Sequence, residues 1–146
     1  LVRAKGIAPE RIVFEITERE TVQNLALLEK FVNDLKLEGF QFAVDDFGSG
    51  FASFHYLRQF PIDFVKIEGD FVANMVRDNR DFAFVKSMAT LAQELAITTV
   101  AEYIEDAEIL AAVQDVGIDL AQGFHMGVPT GELAVSPSGG ERAPSN

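Results

Sequence analysis

Short apolar segments of strand length alternate with longer amphipathic segments along this chain, and this alternation limits the possible folds more than any other feature of the sequence. No hairpin turn joins successive apolar segments, and parallel strands need long crossover connections of this kind. The pattern predicts an α/β fold in which helices cover a mostly parallel sheet. The predicted strands are residues 11–16, 40–44, 63–67, 98–101 and 119–121.

The amphipathic segments predict the helices that connect these strands. In the first of them, Leu25, Leu28 and Val32 recur at three- and four-residue spacing, which is typical of a helix with one buried face. The Ser-, Gly- and Pro-rich end of the chain predicts a disordered tail over residues 136–146, so the folded domain would occupy residues 1–135. The predicted helical regions are residues 20–37, 54–60, 70–95 (interrupted near 78–79) and 106–116.

A polar residue follows the apolar part of every predicted strand. The carboxyl ends of parallel strands lie at one edge of the sheet, and in a (β/α) barrel they form a ring, so we expect these side chains to meet. The ring is acidic with a single cation, and carboxylate oxygens are the preferred ligands of hard divalent ions. It predicts a divalent-metal site without histidine ligands. The ring residues are Glu15, Asp45, Asp46, Lys66, Glu102 and Gln122.

The adjacent acids Asp45 and Asp46 precede a loop that contains two glycines, Gly48 and Gly50. A cation would relieve the repulsion between two crowded carboxylates, and the glycines would allow positive φ and close approach to a ligand. An Asp-rich turn that caps the next helix would explain this stretch equally well. The stretch alone leaves both interpretations open.

The overall charge excludes one class of partner. A formal net charge of −11 argues against binding to DNA or RNA, because tracking phosphates needs clustered Lys and Arg. The chain has no cysteine, which excludes disulfides and thiolate zinc sites. Without an apolar run of membrane-spanning length, we expect a cytoplasmic protein or the cytoplasmic portion of a membrane-anchored parent protein.

Five segments match, in order and at similar spacing, the motifs of one known family. Residues 45–51 read Asp-Asp-Phe-Gly-Ser-Gly-Phe where that family has Asp-Asp-Phe-Gly-Thr-Gly-Tyr, and the chain resembles the EAL domain family, the bacterial cyclic di-GMP phosphodiesterases. The resemblance implies metal-dependent hydrolysis of cyclic di-GMP to linear pGpG. The other matching segments are residues 15–18 (Glu-Ile-Thr-Glu), 56–67, 100–105 (Val-Ala-Glu-Tyr-Ile-Glu) and 122–124 (Gln-Gly-Phe).

The resemblance also implies an incomplete domain. The chain is similar to about the C-terminal two-thirds of the family's TIM-like (β/α) barrel, so we expect a partial barrel with an exposed sheet edge. The Glu-Ala-Leu motif that names the family and the asparagine on the next strand, both metal ligands there, do not occur in these 146 residues. The resemblance also implies that the protein forms a homodimer and that sensory or GGDEF domains are fused to it outside this chain.

The resemblance assigns two Mg²⁺ or Mn²⁺ ions to the complete domain. Glu15 and Asp45 would bind one ion, and Asp45 would bridge to a second ion held by Asp46 and Glu102. Lys66 would orient the attacking water and remain protonated among the acids. Proton removal is implied for Glu102 or Glu105, substrate contact for Gln122 and Glu68, and support of the loop after the Asp pair for Glu18, Gly48, Ser49 and Gly50.

Two positions depart from the family pattern. Glu68 stands where the family usually has aspartate, and Tyr103 replaces the glycine that follows Glu102. Either change could lower activity without abolishing binding, so a catalytically inactive cyclic di-GMP receptor and a dimerisation module are the alternatives to the enzyme. Ordinary helix capping would also explain Glu18, and a solvated acid in the first turn of a helix would explain Glu105.

Overall fold

A parallel five-stranded sheet organises the computed structural model, which describes residues 6–17, 25–50 and 52–129. A short 3₁₀ helix (Pro9–Arg11) precedes the first strand. The strands are hydrogen-bonded to one another in chain order, with every pair parallel. They are β1 (Val13–Thr17), β2 (Gln41–Phe47), β3 (Phe64–Ile67), β4 (Thr98–Ala101) and β5 (Leu120–Ala121). The helices are α1 (Leu25–Leu37), α2 (Ala52–Gln59), α3 (Gly69–Asn74), α4 (Asn79–Glu94) and α5 (Ala107–Asp115).

The two faces of the sheet have different surroundings. Side chains on one face are buried against the helices, with Val44, Val65 and Ile67 at 0% exposure. The other face lines an open cavity of about 260 Å³. Because both faces carry apolar side chains, the strands have the continuous apolar sequences that are typical of a parallel sheet. The apolar residues that line the cavity are Val13, Ala43, Phe64, Val100 and Leu120.

The predicted α/β class is confirmed, and the caps explain two helix boundaries. The predicted break near residues 78–79 is present because the Asp78 side chain caps α4, accepting a hydrogen bond from the Arg80 N–H at 2.7 Å. In the same way, the Asp106 carboxylate accepts hydrogen bonds from the second and third residues of α5. The prediction for β4 matches its bounds residue for residue.

Other boundaries differ from the prediction. The first strand begins at Val13 rather than residue 11, because Pro9 starts a 3₁₀ turn that includes Arg11. The prediction that the second strand ends at Val44 is wrong, since β2 continues through both aspartates to Phe47. Helix α2 begins two residues earlier than predicted. The predicted start of the first helix at residue 20 and the predicted tail at 136–146 lie outside the described residues.

Strands β1 and β5 are the outermost strands of the described sheet. Large apolar residues are exposed at both of these strands. They are Phe14 in β1 and Phe31 in α1, and Leu120 in β5 and Phe124 after it. An open parallel sheet with apolar edges fits part of a barrel better than a complete one. Among the described residues, no helix combines the length and apolar character that crossing a bilayer requires.

Candidate functional site

A β-bulge places Asp45 and Asp46 on the same side of the sheet. Val44 pairs with Val65 and Phe47 pairs with Ile67, so two residues of β2 stand opposite the single Lys66 of β3. Regular alternation would turn Asp46 towards the buried helix-facing side. Instead Asp46 adopts a left-handed backbone conformation with φ 54°, which aspartate tolerates better than most residues. The extra residue therefore gives one strand two carboxylates at the site.

Lys66 lies at the centre of the acidic side chains. Its Nζ is 2.9 Å from Asp45 Oδ1, 3.0 Å from Glu102 Oε1 and 3.3 Å from Glu15 Oε1. The side chains of Asp45 and Glu102 are each 19% exposed, whereas that of Glu15 is 49% exposed. The structure thus brings together one member of the predicted ring from each of β1, β2, β3 and the turn after β4.

The carboxylates control the protonation of Lys66. Burial lowers the pKa of its ammonium group, but the close contacts with the negatively charged carboxylates of Asp45 and Glu102 outweigh burial and raise the pKa well above its ordinary value. Lys66 is therefore protonated throughout the neutral range, as predicted from the sequence. It can supply positive charge, but it cannot serve as a free-amine base there.

Three carboxylates form a cluster that fits a divalent ion. Among the described residues, one oxygen from each of Asp45, Asp46 and Glu102 lies within 4.8 Å of the other two. Asp45 Oδ1 is buried and makes no hydrogen bond, because its close contact with Lys66 Nζ does not have hydrogen-bond geometry. A buried acceptor that makes no hydrogen bond, in a set of oxygen ligands, fits a hard divalent cation. Glu15 is outside this cluster, but it contacts Lys66, which in turn contacts Asp45 and Glu102.

The turn after β4 carries Glu102 towards β5. Ile104 follows two residues later and is fully buried, and its N–H donates a hydrogen bond to the Gln122 carbonyl at 3.1 Å. A β-carbon on Gly123 would overlap the backbone of Ile104, so glycine is required at this close approach. This contact explains why Gln122 is followed by glycine. It brings Gln122 to the same cavity face as Lys66 and Glu15.

The remaining predicted site residues are not members of this cluster, and one of them lies outside the described residues. Glu105 is exposed and lines a cavity of about 210 Å³ together with Glu102 and Gln122. Glu68 is the N-cap residue of α3, and its own N–H donates to the Phe47 carbonyl at 3.2 Å. Glu18 lies outside the described residues. In the predicted loop, Gly48 has the expected positive φ (107°) and the Ser49 N–H donates to the Asp46 carbonyl, while Gly50 follows them as the third loop residue.

Two carboxylates at the opposite edge of the sheet have a structural role that the sequence reasoning missed. Asp119 accepts hydrogen bonds from both the N–H and the hydroxyl of the buried Thr99, at 2.8 and 2.7 Å. Asp63 accepts one from the Phe42 N–H at 2.8 Å and forms an ion pair with Lys36. Both acids immediately precede a strand, and an acid at that position is the signal that could have identified them.

Comparison with known proteins is consistent with this geometry. The family model for the EAL domain matches residues 1–129. The chain is 45% identical over 123 residues to the cyclic di-GMP phosphodiesterase PdeB of Shewanella oneidensis, covering 84% of this chain and 14% of PdeB.

Solved structures resemble the fold closely. The EAL domain of Mycobacterium smegmatis DcpA superposes with a TM-score of 0.83 at 30% identity, covering 88% of this chain and 57% of that one. The manganese and cyclic di-GMP complex of Klebsiella pneumoniae BlrP1 superposes with a TM-score of 0.78 at 32% identity, covering 84% and 31%. The chain therefore spans only part of each relative. The parallel sheet, the acidic cluster and the match over residues 1–129 together show that this chain belongs to the EAL domain family.

Proposed function

We propose that this chain carries the C-terminal portion of the EAL domain of a phosphodiesterase that hydrolyses cyclic di-GMP to linear pGpG. The observation that supports this most directly is the contact of Lys66 with carboxylates from three different segments, next to a carboxylate cluster that fits a divalent ion. The name of PdeB and the ligands of the BlrP1 complex indicate the substrate.

The carboxylate set fits two Mg²⁺ or Mn²⁺ ions when the upstream part of the domain is present. Asp45, Asp46 and Glu102 would hold one ion, and Glu15 with Asp45 would contribute to the other. When bound, such ions neutralise charge on the phosphoryl oxygens and favour deprotonation of water. The buried Asp45 oxygen that makes no hydrogen bond is the observation in favour of this assignment.

The protein side chains divide the remaining work according to their charge. Lys66 is held in place by its carboxylate neighbours, and it orients the attacking water and stabilises negative charge on the phosphodiester. Glu102 and Glu105 are the candidate groups for accepting the proton of that water, and Glu102 is the better placed because it contacts Lys66. Gln122 lies on the cavity face and would donate a hydrogen bond to the dinucleotide.

The loop after the bulge extends the proposal to neighbouring parts of the protein. Residues Gly48, Ser49 and Gly50 would report occupancy of the site to a partner subunit in a homodimer, with Glu18 as support. Glu68, at the start of α3, would act near the substrate rather than in the carboxylate cluster. Cytoplasmic location and fused sensory or GGDEF domains belong to the same proposal for the whole protein.

The test compares two conservative substitutions in the full-length protein. Asp45→Asn removes a cluster carboxylate, and Asp70→Asn changes an exposed aspartate on α3 as the matched control. Chromatography should show Mn²⁺-dependent conversion of cyclic di-GMP to pGpG by the wild type and the control, but not by Asp45→Asn. Binding of the dinucleotide without any hydrolysis by the wild type would support the receptor instead, and no binding by calorimetry would support the dimerisation module.

A further inference from the structure

The turn after β4 contains a residue whose backbone conformation is costly. Tyr103 has φ 58°, in the left-handed region that disfavours residues with a β-carbon. It follows Glu102 directly, and the residue is 60% exposed. The surrounding structure must therefore hold this residue in place.

Gly69 provides the contact that holds Tyr103. A β-carbon built on Gly69 would overlap the Tyr103 ring, so the ring lies directly against the backbone of this glycine. Gly69 is buried and is the first residue of α3. The close packing of an aromatic ring on a rigid backbone position restricts the conformations of the turn.

The segment that includes Gly69 contacts both sides of the carboxylate cluster. The N–H of the preceding residue, Glu68, donates to the Phe47 carbonyl at the end of β2, immediately after the two aspartates. The Tyr103 ring then packs on Gly69 from the side of Glu102. One short segment after β3 thus connects the backbone beside Asp46 to the backbone beside Glu102.

The carboxylates need such support because their negative charges repel one another. The oxygens of Asp45, Asp46 and Glu102 lie within 4.8 Å of each other. On its other side, the turn is fixed by the buried Ile104, which is hydrogen-bonded to Gln122. We propose that Tyr103 is a positioning residue, which by packing on Gly69 holds the Glu102 carboxylate in the cluster and so raises the affinity for a divalent ion.

This inference rests on the metal site of the proposed function but not on hydrolysis, so its test measures Mn²⁺ binding to the full-length protein by calorimetry. Tyr103→Ala should weaken binding about tenfold, as changes to groups that orient metal ligands do. Tyr103→Phe should bind Mn²⁺ like the wild type, because the ring and not the hydroxyl makes the contact. Phe84→Ala removes a similarly exposed aromatic side chain from α4 and should leave Mn²⁺ affinity unchanged.

Two further variants separate positioning from folding. Tyr103→Gly removes the ring and also the backbone cost, so it should weaken Mn²⁺ binding without lowering the unfolding temperature. Gly69→Ala should reproduce the loss seen with Tyr103→Ala, and combining the two should add little, because both break the same contact. Wild-type Mn²⁺ affinity in Tyr103→Gly, or fully additive losses in the double variant, would overturn the proposal. If the wild type binds Mn²⁺ but hydrolyses nothing, the proposed function is wrong, but the effect of these variants on Mn²⁺ affinity can still be measured.

Discussion

Replacing Lys66 by methionine tests how the carboxylates and the ammonium group depend on each other. The substitution keeps the length of the side chain and removes its charge. It removes the ammonium group that compensates the charges of Asp45 and Glu102, which lie 2.9 and 3.0 Å from Nζ in the wild type. We expect a less stable metal-free protein, tighter Mn²⁺ binding and much slower hydrolysis.

The size of the stability loss follows from burial. Breaking a fully buried ion pair costs about 3–5 kcal/mol, because an uncompensated charge stays behind. The Lys66 side chain is 14% exposed and its two nearest partners are 19% exposed, so we expect about 3 kcal/mol. For a domain of the size of a complete barrel, that corresponds to a fall of roughly 6–12 °C in the unfolding temperature.

The pH dependence of this contribution has a definite sign. The folded-state pKa of Lys66 is raised, so its stabilising effect is fully present below the unfolded-state pKa, about 10.4, and disappears as the pH rises through the folded-state value. The difference in unfolding free energy between the wild type and Lys66→Met should therefore be constant from about pH 6 to pH 9. Denaturant unfolding at several pH values measures it.

Mn²⁺ binding and turnover complete the test. Loss of an ammonium group beside the cluster removes repulsion against an incoming cation, while hydrolysis should fall by about 10²–10³, as when one electrostatic donor is removed. Lys36→Met is the matched control: it breaks the ion pair with Asp63 at the opposite sheet edge and should leave Mn²⁺ affinity unchanged. Unaltered stability together with unaltered Mn²⁺ affinity in Lys66→Met would refute the reasoning.

Substitutions at three other positions test the framework around the site. Asp119→Ala should lower the free energy of unfolding by about 2 kcal/mol in denaturant titrations, because it leaves the buried Thr99 donors without their acceptor. The hydrogen bonds from Thr99 hold the pKa of Asp119 below its ordinary value. The difference in unfolding free energy between the wild type and Asp119→Asn should therefore be present above about pH 4 and shrink as the pH falls through the folded-state pKa. A difference that does not change with pH would contradict this. Gly48→Ala should cost roughly 1–3 kcal/mol in thermal unfolding, since φ is 107° and the new β-carbon would meet Met88 Sδ at 2.7 Å. Asp78→Ala should cost about 1 kcal/mol through the lost cap of α4, and an unchanged unfolding temperature would contradict that role.

The fold class could be predicted because its signals are local. Strand β4 is a run of β-branched residues and alanine between a helix and a charged residue, and each of these features is visible within a few positions. The gathering of Glu15, Asp45, Lys66 and Glu102 followed from one topological rule, that parallel strands end at a common edge. That rule needs no knowledge of side-chain packing.

The parts that could not be predicted depend on contacts between distant segments. The bulge at Asp46 exists only relative to the register of β3, so the sequence of β2 alone reads as a strand that stops at its first charge. The left-handed conformation of Tyr103 depends on a glycine 34 positions earlier in the chain, which leaves room for the ring. The pairing of Asp119 with Thr99 likewise joins two strands through side-chain atoms.

The strand order has a consequence for how the protein is made. Because the strands lie in the sheet in the order of the chain, each strand that emerges during synthesis finds its neighbour already present, and only the single crossover connection between the two has to close. Lys66 precedes Glu102 in the chain. The growing polypeptide therefore acquires its central cation before the last carboxylate of the cluster is translated, and the nascent sheet never has to assemble the whole acidic set without it.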